Sequence, residues 1–237
     1  MTWNIEGLKR NIFNLRDLLN IEAPHMIFLS ETQIFQSDIN HCVNYLAGVY
    51  SYHLNSEDQF DKDLPLVSPK SVGGTMTLWR NELDPFITLH PPPSPSILPI
   101  IFHPPGCTTS LHLNVYLPTN GREDEFMEEM SKLFVLVQDL AVVYPAAPIY
   151  IRGDLNVNNK NSKRKSILKY FLDSNNLDEL KIDHPTYHHF VGDGTSDSNL
   201  DRIIFSSRPN EPEMLLRIIC KLNEPLVCSL HDVIITS

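Results

Sequence analysis

Apolar positions in the first part of the chain change period once. Leu8, Ile12, Leu15, Leu18 and Leu19 fall on one helical face, so the spacing predicts a helix over 8–20. Pro24 closes that segment, and Met26–Leu29 is a short continuous apolar run, the pattern of a fully buried strand. Residues 51–70 are polar, acidic and proline-interrupted, which predicts a surface loop, and Gly73-Gly74 then lead into a strand at Thr75–Trp79. Seven prolines between His90 and Pro105 make that stretch a turn or an edge, with a strand at Ile97–Phe102 interrupted by Pro99. Leu111 to Tyr116 alternates apolar and polar, which predicts a half-buried strand. Phe126, Met130, Leu133, Val137 and Leu140 mark a long helix opened by Gly121, with Glu123, Asp124 and Glu125 in the first turn, where the helix dipole favours anions. Ile149–Ile151 predicts a buried strand, and Ile167, Leu168, Phe171 and Leu172 the inward face of a helix over 163–173. Leu200–Phe205, Pro225–Val227 and Val233–Ile235 read as further strands. Strands and helices alternate only in part, and several strands follow one another directly. The expected class is therefore α/β with mixed sheets and the helices outside.

Composition narrows this pattern. The 237 residues suit a single large domain, and 42% hydrophobic content supports a packed core and argues against disorder. No apolar run approaches the roughly 20 residues of a membrane span. The opening Met-Thr-Trp-Asn-Ile-Glu lacks the basic and apolar regions of a signal peptide, so a nuclear or cytoplasmic location is expected. Cys42, Cys107, Cys220 and Cys228 show no Cys-x-x-Cys spacing, which excludes a zinc ribbon and points to reduced thiols. The net charge is −10, from 19 Lys and Arg against 29 Asp and Glu. Any affinity for nucleic acid must then come from a local basic patch or from a metal.

Polar residues recur next to the apolar runs: Asn4, Glu31, Tyr116, Asn120, Asp154, Asn156, Asp201 and His231. In α/β structures sites are assembled at strand ends. Each residue has a plainer reading, since a Gly-Asp pair commonly closes a turn and a lone His before a strand commonly makes a structural hydrogen bond. The set together offers more. Glu31 is a carboxylate for a hard cation, Asp154 and Asn156 would face one side of an extended segment, and His231 has a distant Asp201. One or two protein carboxylates with water and phosphate oxygens suit Mg²⁺. A base that aims water, together with groups that meet developing charge, suits phosphodiester hydrolysis.

The ordered segments Thr2-Trp3-Asn4-Ile5-Glu6-Gly7-Leu8, Leu29-Ser30-Glu31-Thr32, Asn114-Val115-Tyr116-Leu117-Pro118, Gly153-Asp154-Leu155-Asn156, Ser198-Asn199-Leu200-Asp201-Arg202 and Ser229-Leu230-His231 resemble the endonuclease/exonuclease/phosphatase superfamily. They are closest to the apurinic-endonuclease-like domains of LINE-type (non-LTR) retrotransposons, and Pro185 to Phe190, followed by Ser196 to Asp201, looks like the invertebrate retroelement branch in particular. The resemblance spans residues 2–235 and implies a four-layered α/β sandwich of two mixed sheets packed face to face, formed by residues 1–237 as one domain. It implies a Mg²⁺-dependent DNA endonuclease that nicks target DNA for a retroelement, with Mn²⁺ as the alternative ion. DNA is the implied partner, with no membrane and a monomer as the isolated domain. Glu31 would hold the metal with Asn4 beside it. Asp154 would orient or deprotonate the attacking water, Asn156 and His231 would meet the phosphate, Asp201 would orient the His231 ring, and Tyr116 would donate to the phosphate. Thr119, Asn120 and Arg122 would bind substrate. Two departures stand out. Leu230 occupies the place of the superfamily's Asp before the histidine, with Asp232 the nearest carboxylate, and Asn4 lies so early that the first strand is expected to be a clipped edge strand. A decayed or domesticated copy that only binds, and a phosphatase of the same superfamily, are the alternatives. Arg122 and the run Lys160, Lys163, Arg164, Lys165 are expected to supply most phosphate contacts, against the plainer reading of the run as a solvated helix start.

Overall fold

The computed structural model describes residues 1–46, 48–59, 73–158, 161–182, 185–191, 194–206, 216–219 and 233–236. In chain order these form β1 (Thr2–Asn4), α1 (Leu8–Glu22), β2 (Met26–Ser30), α2 (Ile39–Val43), β3 (Tyr50–Asn55), β4 (Thr75–Arg80), β5 (Ile87–Leu89), β6 (Ile97–Phe102), β7 (Ser110–Tyr116), α3 (Glu123–Val143), β8 (Ile149–Asp154), α4 (Ser162–Asn175), β9 (Leu177–Glu179), β10 (Tyr187–Val191), β11 (Gly194–Ser198), β12 (Asp201–Ser206), β13 (Leu216–Ile219) and β14 (Val233–Thr236). One sheet runs β13-β14-β1-β2-β4-β3 and a second β5-β6-β7-β8-β12-β9, while β10 and β11 form a separate two-stranded ribbon. Both large sheets are mixed. Each has one parallel pair at its centre, β1 with β2 and β7 with β8, and the other neighbours are antiparallel.

Strand alternation sorts the side chains into layers. Leu111, Leu113 and Val115 of β7 and Ile149 and Ile151 of β8 pack with Phe126, Leu133, Val137 and Leu140 of α3 and with Leu168 and Phe171 of α4. Trp3, Ile27, Leu29, Met76 and Leu78 pack with Leu8, Ile12, Leu15, Leu18 and Leu19 of α1. The intervening positions, Thr2, Asn4, Phe28, Ser30, Thr75 and Thr77 on one sheet and His112, Asn114, Tyr116 and Asp154 on the other, lie where the sheets face each other. The result is the expected four-layered sandwich, with aliphatic layers outside and a polar, aromatic layer between the sheets. Buried polar groups must find partners. The Asn114 amide nitrogen does so by donating to Leu29 O at 2.9 Å and to Met76 O at 3.0 Å, pinning the sheets together. Asn55 reaches across to Ser94 O at 2.6 Å.

Several expectations change. β7 is buried along its whole length, because its polar half meets the other sheet instead of water. The segment read as a loop from residue 51 begins as β3, an edge strand whose solvent side explains its polar composition; residues 60–72 lie outside the described residues. β1 is interior, between β14 and β2, and not an edge strand. β6 runs through Pro99 without a break. Tyr116 N bonds Ser96 O, so ladder alternation turns the Pro99 nitrogen away from β7 towards β5, and β5 has ended at Leu89. No ladder bond is demanded of Pro99 there. The Pro225–Val227 segment lies outside the described residues. Cys42 and Cys107 are free thiols.

Candidate active site

The two central parallel pairs end at the same rim. In the first sheet Asn4 is opposite Ser30, with Glu31 next. In the second, Tyr116 is opposite Asp154, and Asp154 is opposite Asp201 at the start of β12. Four residues singled out in the sequence, Asn4, Glu31, Tyr116 and Asp154, therefore meet across the sandwich. Asn4 Nδ2 donates to Asp154 Oδ2 at 3.0 Å, and the Tyr116 hydroxyl donates to Glu31 Oε1. The Asn4 Oδ1 accepts from the Glu6 N–H at 3.2 Å.

Asp154 is almost fully buried, and its other oxygen, Oδ1, accepts the Asn156 backbone N–H at 2.9 Å. This corrects the route by which Asp154 and Asn156 come together. Asn156 has φ 50°, so the chain turns back on itself and does not continue as an extended strand. The short polar side chain of asparagine tolerates that left-handed region. Asn156 Nδ2 is spent on Leu117 O at 2.7 Å, tying the loop after β8 to the loop after β7.

Tyr116 stays protonated. Burial pushes its phenol far above the usual range, and the Glu31 and Asp154 carboxylates push the same way. It is therefore a hydrogen-bond donor, here to Glu31. Gly73 lies against its ring, with φ 71°; a Cβ there would stand 3.3 Å from the ring edge. Glu31 also takes a left-handed φ, 52°, which turns its side chain out of the strand line.

Asp201 is buried, and its N–H and that of Leu200 both donate to Thr186 Oγ1 at 3.2 Å. His231, its expected partner, lies outside the described residues, as do Leu230 and Asp232. Three residues at the rim carried no expected role. Thr186 anchors the start of β12, Glu6 adds a carboxylate beside Asn4, and Tyr187 opens the β10–β11 ribbon. Burial raises the Tyr187 phenol, and the Glu6, Asp154 and Glu31 carboxylates push the same way. The Thr-Tyr pair before a short alternating run was the available signal.

The basic groups divide. Arg122 precedes α3, half exposed, with Nε donating to Glu125 Oε1 at 2.9 Å. Lys163 and Lys165 are exposed, while Lys160 lies outside the described residues. Arg164 is fully buried and cannot touch DNA, which removes it from the expected basic patch. Thr119 and Asn120 are at the rim, and Asn120 Oδ1 accepts from Asn161 Nδ2 at 3.2 Å.

Among the described residues no three His, Cys, Asp or Glu side chains cluster as a metal cage. The Glu31 carboxylate and the Asn4 amide oxygen are hard oxygen donors, and they fit an ion that keeps water and takes phosphate oxygens, as Mg²⁺ does. No described helix is long and apolar enough to cross a membrane.

No curated protein matches the sequence. Among solved structures, the endonuclease domain of TRAS1, a telomere-specific non-LTR retrotransposon, superposes with TM-score 0.69 at 13% identity over 100% of this chain and 95% of that one. The AP endonuclease LMAP from Leishmania major gives TM-score 0.72 at 14% identity over 98% and 84%. The 3′ phosphatase NExo from Neisseria, bound to a product DNA hairpin, gives 0.69 at 14% over 100% and 97%. These identities establish the fold alone. The sequence itself matches the model of the Endonuclease/Exonuclease/phosphatase family across residues 1–214, and the chain belongs to that family.

Proposed function

We propose that the chain is a Mg²⁺-dependent DNA endonuclease that nicks one strand of duplex target DNA, in the manner of a retroelement endonuclease domain. The observation that carries this reading is the Asp154 carboxylate, held from two directions by Asn4 Nδ2 and the Asn156 N–H at the rim shared with Glu31 and Tyr116. A carboxylate fixed in this way can orient water and take its proton as the water oxygen attacks phosphorus. The bond from phosphorus to the leaving sugar oxygen then breaks, and that oxygen takes a proton from solvent water. Tyr116, kept as a donor and turning from Glu31, and the second Nδ2 hydrogen of Asn156, the one not given to Leu117 O, would donate to non-bridging oxygens as charge develops there. Mg²⁺, held by Glu31 and the Asn4 oxygen, would supply positive charge to the same oxygens.

The β10–β11 ribbon favours a polymer over a small head group. It is a sheet of its own, beginning at Tyr187 next to Thr186, whose Oγ1 accepts the Asp201 N–H at 3.2 Å, and a two-stranded ribbon is of a size that a DNA groove admits. The retroelement setting rests on the ordered sequence motifs, and the TRAS1 endonuclease domain shares the fold.

The deciding experiment incubates supercoiled plasmid with the protein and Mg²⁺, Mn²⁺ or chelator, beside 3′-phosphorylated DNA and inositol phosphates. Open-circle product that needs the cation is the expected outcome. Phosphate release without nicking would replace this reading with a phosphatase, and DNA binding with no hydrolysis would replace it with a decayed copy. Glu31→Gln is expected to raise the Mg²⁺ concentration for half-maximal nicking by about 10–100-fold, the size seen when a group supporting a metal is lost. An unchanged Mg²⁺ titration would make Glu31 structural. Arg122→Ala is expected to weaken DNA binding similarly on all sequences and to reduce the salt slope by about one, the mark of one lost phosphate contact. An unchanged slope would put the DNA path on another face.

A further inference from the structure

Arg164 sits in the first turn of α4 on the face it shares with Leu168 and Phe171, so its guanidinium enters the protein. Its side chain is 0% exposed. Nε donates to Glu123 Oε2 at 3.0 Å, Nη1 to Pro118 O at 2.7 Å and Asn156 O at 2.9 Å, and Nη2 to Thr119 O at 2.8 Å and Glu123 Oε1 at 2.9 Å. The five N–H groups of the fork meet five acceptors. Phe126 closes one side, its ring centre 4.1 Å from the Arg164 Cζ.

A helix-start ion pair would account for Glu123 and for nothing else. The three main-chain carbonyls come from two loops: one leaves β7 at Tyr116 and the other leaves β8 at Asp154. A second tie joins the same region independently. Asn161 caps α4 by accepting the Arg164 N–H at 3.2 Å and donates Nδ2 to Asn120. Buried carbonyls left without donors are costly, so the loops hold this geometry only while the guanidinium is in place.

We infer that Arg164 is a positioning residue: it locks the two strand-end loops into one body and so sets Asn156, Thr119 and Asn120 relative to Asp154. The inference rests on the nuclease reading for its catalytic meaning, though not for the clamp itself. Lysine cannot replace it, since an ammonium is a point charge with three donors and cannot span four residues in a plane.

The test compares wild type with Arg164→Lys, with Glu123→Gln as a milder variant that removes the bidentate carboxylate and keeps the arginine. Hydrogen exchange is measured at the amides of Thr119–Gly121 and Leu155–Asn158, with α1 as internal reference. Nicking is measured per folded molecule, at a temperature where circular dichroism shows full folding. Arg164→Lys is expected to speed exchange in both loops and not in α1, and to lower kcat/KM on the order of 100-fold, the effect of displacing reacting groups by about 1 Å. Glu123→Gln is expected to change both in the same direction by less, and it carries the test if Arg164→Lys does not fold. Loop exchange unchanged in a folded variant overturns the clamp. Loosened loops with unchanged kcat/KM overturn the positioning role. A wild type that nicks nothing sinks the nuclease reading, while the exchange comparison still decides the clamp.

Discussion

Asp154→Asn is expected to lower nicking by about two to four orders of magnitude, the usual size for losing a general base. Its melting temperature should move by only a few degrees. The replacement keeps an oxygen for the Asn156 N–H but sets an amide nitrogen against Asn4 Nδ2, which costs about 1 kcal/mol, or roughly 2–4 °C for a domain of this size. Rate and melting curve together separate the two roles open to this residue. If Asp154 only closed a turn, stability would fall and turnover per folded molecule would survive.

Gly153→Ala is expected, by contrast, to lower both stability and nicking. Gly153 has φ 132° and lies opposite Val115, where β7 and β8 approach so closely that an added Cβ would overlap the Val115 carbonyl oxygen. It would also stand 3.1 Å from the Val115 carbonyl carbon. The neighbours are backbone, which cannot rotate away. Strain at this φ and the overlap together cost about 3 kcal/mol or more, a fall of roughly 6–12 °C in melting temperature. Thermal melts of the purified variant check the first effect and plasmid nicking the second. A variant that melts with wild type would mean that β8 can shift at Gly153 without penalty.

Much of this arrangement was legible in the chain because the helices and central strands carry strong periods. The face Phe126, Met130, Leu133, Val137, Leu140 is buried as its spacing required, and the strand-end residues Asn4, Glu31, Tyr116 and Asp154 do converge. The errors share a cause. Sequence patterns report how polar a position is and not what it faces. β7 looked half exposed because His112 and Asn114 are polar, yet they face a second sheet. Arg164 looked like part of a solvated basic run, although it stands four and seven residues before Leu168 and Phe171, the same spacing that marks the buried face. The turn at Asn156 was hidden because a left-handed φ leaves no periodic trace. Thr186 and Tyr187 stand in the Pro185–Phe190 segment singled out in the sequence, but the segment carries no role for Thr186 until the fold brings the Leu200 and Asp201 N–H groups to its hydroxyl.

Asn4 and Asp154 are 150 positions apart, and their hydrogen bond joins one sheet to the other. A contact of such span closes a long loop, whose entropy must be met before the contact repays it. Neither sheet contains the rim alone. A nascent chain therefore carries no working centre until β8 has been synthesised and docked against β1, and a molecule cleaved between the sheets loses the centre once they part. For a protein read as a breaker of DNA strands, the order of assembly then withholds the Asn4–Asp154 pairing from a chain that has not yet reached β8.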